Sequence, residues 1–221
     1  ASAELVANGD FETGDLTGWT VAGFCGSNPS TFTRTSINDG TVIPNGPSTS
    51  QPPITGSFDA LQEGNCGPGL TTLRQTITVP GTVTATTLSW KDRIENHSSG
   101  RGGGHFDDHQ GFRVNILNAS GTLIQTVFST VAGDPLFQIG PNSRSVDVTA
   151  LLQTLEGQDV ILSFETRAYH FYETTWIDDV SLSTDAPSNT APVASCQDVI
   201  EECTGNSQAA ASIDNGSSDP D

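Results

Sequence analysis

The chain has 221 residues and a formal net charge of −18, with 26 acidic residues against eight lysines and arginines. An acidic excess of this size excludes a nucleic-acid partner and an anionic membrane surface, because both would repel the chain. Membrane insertion is excluded as well, since no stretch approaches the roughly 18 apolar residues that a spanning helix needs.

In chain order, the first motif is Asn8-Gly9-Asp10-Phe11-Glu12, followed by Gly18-Trp19. It sets the carboxylates of Asp10 and Glu12, both candidate metal ligands, beside an apolar residue. Four cysteines, Cys25, Cys66, Cys196 and Cys203, form an even set without C-x-x-C spacing, which favours disulfides over zinc. Their positions divide into Cys25–Cys66 and Cys196–Cys203. The first bridge would close a loop rich in Pro, Gly and Ser, and the chain-entropy model assigns it about 4 kcal/mol. Disulfides belong to an oxidising compartment. Ala1-Ser2-Ala3 reads as a mature end left by signal-peptide removal, so the expected location is extracellular or at the cell surface.

Beyond the opening the pattern is almost wholly β. Leu73, Gln75, Ile77 and Val79 alternate with Arg74, Thr76 and Thr78 up to the turn signal Pro80-Gly81. Trp90 shares a strand face with Leu88. Phe112, Val114 and Ile116 alternate with polar residues, and the turn Asn118-Ala119-Ser120-Gly121 leads into Leu123 to Phe128, which predicts a hairpin. Only Val148 to Leu155 predicts a helical turn. Val160, Leu162 and Phe164 form another alternating strand. Strands of this number, spaced by Gly- and Asn-rich turns, fit an all-β two-sheet sandwich with enough length for a substantial core.

Two loop segments concentrate polar and aromatic chemistry. Residues 96–109 hold His97, His105 and His109 with Asp107, Asp108 and four glycines. His105 and His109 stand four apart without a helical period, so the spacing does not specify a transition-metal site. The second segment, Tyr169, His170, Phe171, Tyr172 and Glu173, can border a binding cleft with the loop around His105. No serine-hydrolase or P-loop pattern is present, and paired carboxylates could be chosen anywhere in so acidic a chain, so no enzyme is expected.

The run Thr175-Trp176-Ile177-Asp178-Asp179-Val180-Ser181-Leu182 reads as a closing strand. A period of two sets Trp176, Asp178, Val180 and Leu182 on one face and aims one acid into a core. A buried carboxylate costs several kcal/mol unless it is paired or bound to a cation, and calcium is the economical partner.

The opening N-G-D-F-E with its following G-W, and the closing W-I-D-D-V-S-L, together resemble the bracketing signatures of jelly-roll β-sandwich modules grouped with carbohydrate-binding modules and galactose-binding-like domains. The resemblance covers about residues 4–184. It implies a structural calcium ion held by Glu12 and Asp178, with backbone carbonyls supplying most remaining ligands. It also implies glycan binding as a class tendency, with His105, Tyr169, Phe171 and Tyr172 as candidate contacts.

A composition break over 183–192, with Pro187 and Pro192, divides the chain into a sandwich (1–185), a linker (186–192) and a short extended β segment (193–221). That last segment resembles the start of immunoglobulin-like repeats of bacterial surface proteins. Its acids Asp214, Asp219 and Asp221 could bind a second calcium. A strand donated by this tail to another subunit would build an open filament. The expected function is therefore a non-catalytic, calcium-stabilised adhesive or structural module that associates with itself or with neighbouring domains. The alternative is a polysaccharide-binding module of a secreted protein.

Overall fold

The computed structural model describes residues 2–26, 32–65, 68–100 and 104–185. The chain divides into two units, Ala1–Ala186 and Pro187–Asp221. The second unit lies outside the described residues, and with it the immunoglobulin-like segment, Cys196 and Cys203, and Asp214, Asp219 and Asp221.

The first unit is an all-β jelly-roll sandwich of two antiparallel sheets. Its strands are β1 (Ser2–Glu4), β2 (Thr20–Cys25), β3 (Phe32–Asn38), β4 (Asp59–Asn65), β5 (Gly69–Thr78), β6 (Thr86–Asn96), β7 (Gln110–Asn118), β8 (Leu123–Ser129), β9 (Phe137–Asp147), β10 (Asp159–Ala168) and β11 (Glu173–Asp185). One short helix, α1 (Thr149–Gln153), falls where the helical turn is expected. One sheet, here sheet A, runs β3-β4-β11-β6-β9 with β1 also paired to β11. The other, sheet B, runs β2-β5-β10-β7-β8. The expected hairpin is β7–β8, with Val114 opposite Phe128.

The core is the interleaving of the two inner faces. Leu73 and Ile77 from β5, Val114 and Ile116 from β7 and Leu162 and Phe164 from β10 meet Leu88, Trp90 and Ile94 from β6. Phe164 is its aromatic hub, with ring centroids 6.0 Å from both Trp19 and Trp90 and 6.2 Å from Phe112. Edge-to-face and offset pairs of this kind add to the stabilisation that burial alone provides.

The closing strand departs from the simple alternation. The register of β11 against β6 shifts between Asp178 and Ser181, and Asp179 takes a left-handed φ of 49°. This bulge reverses the parity of the strand. Ile177, Val180 and Leu182 therefore point into the core, while Trp176 and Asp178 turn to the opposite face of sheet A. Asp178 is fully buried, as expected, but not in the sandwich core. It is buried because residues 39–58 cross the outer face of sheet A as a strap.

Side chains of that face fasten the strap. Ile54 N–H donates to Asp59 Oδ2 at 3.0 Å, Asn45 N–H donates to Glu63 Oε1 at 2.5 Å, Ser48 Oγ lies 3.0 Å from Thr174 Oγ1, and Arg93 Nη1 donates to the Pro52 carbonyl. Loop backbone cannot be buried without partners, and these polar strand residues supply them. They also explain why β3 and β4 lack an apolar stripe, which made them illegible as strands.

Candidate functional site

The opening motif docks along the edge of β11 that β4 leaves free. Gly9 accepts at its carbonyl from Val180 N–H at 2.8 Å, and Leu5 N–H donates to the Leu182 carbonyl at 3.0 Å. From this seam the two predicted acids grip one short piece of the strap. Glu12 Oε1 accepts from Ser57 N–H at 2.8 Å and Phe58 N–H at 3.0 Å. Asp178 Oδ2 accepts from the N–H and hydroxyl of Thr55, at 2.8 and 2.7 Å, and its Oδ1 accepts from Asp179 N–H at 2.7 Å. Asp10 is exposed and lines a cleft along the seam with Asp179, which is itself paired to Lys91 at 2.8 Å.

Burial dominates the electrostatics here. It pushes the Asp178 carboxyl up to about 6 against the bonds from Thr55 and Asp179. It pushes Asp59 up to about 7 despite the bonds from Asn38 and Ile54, with the nearby Asp178 charge adding to the rise. The Asp178 charge raises Asp59, the Asp179 charge raises Asp178, and Arg93 is the cation that opposes the rise at Asp59. Such a site accepts a hard cation readily. Among the described residues no three His, Cys, Asp or Glu side chains form a metal-binding group. Glu12 and Asp178 are brought to one short stretch of the strap, Thr55 to Phe58, where the oxygens described accept from N–H and O–H donors.

The histidine loop meets the second segment at one end of the sandwich. His170 Nε2 lies 2.8 Å and His105 Nε2 3.4 Å from the same oxygen, Asp107 Oδ2. Backbone N–H groups of His109 and Gln110 hold the other oxygen at 2.7 and 2.8 Å. Burial pushes the Asp107 carboxyl up, and these bonds outweigh it, so its pKa stays below the ordinary value. His109 does not join His105. It lies beside the Tyr169 ring at 5.4 Å. Beneath the cluster, Gln110 donates to Glu173 Oε2 at 3.0 Å, and full burial raises the Glu173 carboxyl well above its usual range. The segment 169–172 is not a single platform. Tyr169 faces sheet B, His170 turns to Asp107, the Phe171 and Tyr172 rings meet edge-on at 4.8 Å, and Tyr172 packs where a Cβ on Gly46 of the strap would fall.

The outer face of sheet B carries the second arrangement, of which Tyr169 was the only member expected from sequence. Two adjoining hollows of about 130 and 140 Å³ share Phe24 and Leu70. The first runs through His109, Arg167 and Tyr169, and the second through Ala22, Thr72 and Arg74. Phe24 is 54% exposed and Tyr169 47%. Between the strands lies a row of charge. Glu165 Oε2 takes Arg167 at 3.2 Å, its Oε1 lies 3.7 Å from Arg74, and Arg113 stands opposite it in the β7–β10 register. The alternation of β5, β7 and β10 encodes this row, because every second residue of each strand must point away from the core. Which of those outward residues would become neighbours depended on the strand order 5-10-7.

The sequence matches no protein-family description and no curated protein. Solved structures do share its architecture. Carbohydrate-binding modules from a study of promiscuous specificity in the β-sandwich superfamily superpose with a TM-score of 0.50 at 13% identity, over 78% of this chain and 60% of that one. The fold it shares with them is the jelly-roll β-sandwich. TmCBM61 in complex with β-1,4-galactotriose gives 0.49 at 12% identity, over 83% of this chain and 99% of that one. The Stig cyclase Fisc from Fischerella sp. TAU gives 0.49 at 14%, over 84% and 98%. Fold alone does not separate a binding module from an enzyme, so function has to come from the site.

Proposed function

We propose that this chain is a non-catalytic glycan-binding module of an extracellular protein, and that it binds through the outer face of sheet B. The observation that supports this most is the pair of exposed rings, Phe24 and Tyr169, at two adjoining hollows of which Arg167 lines the first and Arg74 the second, with Glu165 paired to both arginines. Sugar rings offer an apolar face for stacking and a rim of hydroxyls, and such a groove meets both needs. Phe24→Ala and Tyr169→Ala should each weaken binding to a responsive oligosaccharide by roughly tenfold, with unchanged melting. Wild-type affinity in both variants on a glycan array and by calorimetry would refute this face as the site.

Calcium held by Glu12 and Asp178 belongs to the same reading as a structural ion. A Cys25–Cys66 bridge belongs to it too. Cys66 lies outside the described residues.

The adhesive or filament reading draws support from the sheet edge. β9 closes sheet A with Phe137 and Ile139 exposed at 48% and 58%, and apolar edge strands invite pairing with another copy. Its docking element, 193–221, lies outside the described residues. If self-association is part of the function, sedimentation of the full chain should show concentration-dependent assemblies that are lost on removal of 187–221. A monomer at every concentration would dismiss it.

A further inference from the structure

We propose that the sheet B groove selects acidic oligosaccharides, mostly neutral chains carrying a single uronate residue, whose carboxylate docks on Arg113 in place of Asp108. The inference rests on the glycan-binding reading and narrows it to a ligand class.

The few described cations divide between the two sheets. Four of the described ones serve sheet A. Arg34 pairs with Glu63, Lys91 with Asp179 and Arg144 with Asp92, while Arg93 is spent on the strap through the Pro52 carbonyl. The remaining three, Arg74, Arg113 and Arg167, come from adjacent strands and converge on one face. Glu165 sits among all three.

Arg113 already shows what it holds. Its Nη2 donates to Asp108 Oδ1 at 2.7 Å, and the Asp108 side chain is 90% exposed while that of Arg113 is only 19% exposed. The guanidinium is positioned by its surroundings, and the carboxylate on it hangs in solvent. Exposed pairs of this kind are weak, so an incoming carboxylate can take the place of Asp108 and keep the charge-assisted geometry. The other acid at this end, Asp107, is engaged by His105 and His170 and does not compete for Arg113. A net charge of −18 opposes long polyanions, which restricts the ligand to sparse acidic substitution.

The test is calorimetric titration of the full chain with oligosaccharides bearing one glucuronate or galacturonate residue, each beside its carboxyl-reduced, neutral counterpart. The acidic member should bind about tenfold more tightly. Arg113→Ala should erase that difference and leave neutral binding unchanged, Arg113→Lys should restore part of it, and Asp108→Ala should widen it severalfold. Equal affinity for acid and reduced sugar, with Phe24→Ala and Tyr169→Ala still weakening both, would overturn the charge selection and leave the glycan reading standing. If no sugar of either kind binds, the glycan reading falls and the selection falls with it.

Discussion

Removing calcium with a chelator should lower the melting temperature by roughly 10 °C, and Asp178→Asn should make the melt indifferent to calcium. An ion that binds only the folded state, present at a thousandfold its dissociation constant, stabilises by about 4 kcal/mol. For a domain of this size each kcal/mol moves the melt by roughly 2–4 °C. Asparagine preserves an acceptor for the Thr55 N–H and hydroxyl, so the strap stays tied while the charge and the bond from Asp179 N–H disappear. The sign in chelator is the sharper part of the expectation. Burial raises the Asp178 pKa to about 6, so without calcium its ionisation costs stability above that pH, and the cost vanishes as pH falls to the ordinary carboxylate range. Asp178→Asn should therefore be as stable as wild type, or more so, in chelator at pH 8, and less stable only in calcium. The calcium effect itself should fade as pH falls through about 6, because the ligand must lose its proton to bind. A wild-type melt that is the same with and without chelator would remove calcium from the account.

Gly9→Ala should cost about 3 kcal/mol or more and loosen the same region. A Cβ at residue 9 would lie 1.9 Å from the Val180 carbonyl oxygen, a backbone atom that cannot rotate away. Relief would require the opening motif to lift from β11, breaking the bond from Val180 N–H to Gly9 and displacing Glu12 from Ser57 and Phe58. Large effects of single substitutions come from such forced backbone shifts. Denaturant unfolding measures the loss directly, and the variant should also bind calcium more weakly. A change within about 0.5 kcal/mol would mean that the seam yields and does not fix the acids.

The sandwich, the β7–β8 hairpin and the short helix were legible because their inward residues alternate in runs long enough to show a period. β3 and β4 were not, because their outward residues are polar, and those such as Glu63 and Asp59 are buried beneath a strap that no local pattern announces. Asp178 was singled out by an alternation that the bulge at Asp179 breaks. A left-handed aspartate leaves no trace in hydropathy, so the acid was expected in the core when it lies on the opposite face. Phe24 went unnoticed because one exposed ring in a short, largely exposed edge strand has no periodic signal.

By itself the sequence determined the class of fold, the extreme charge and the two acidic motifs, since each is carried by residues adjacent in the chain or repeating at a fixed spacing. Only the tertiary structure decided what those motifs touch. Glu12 and Asp178 meet across the strap at Thr55 to Phe58, and Arg74, Arg113 and Arg167 meet around Glu165. Strand order and register set these meetings, and they follow from how two whole sheets bury their apolar faces against each other, a global property that no local segment encodes.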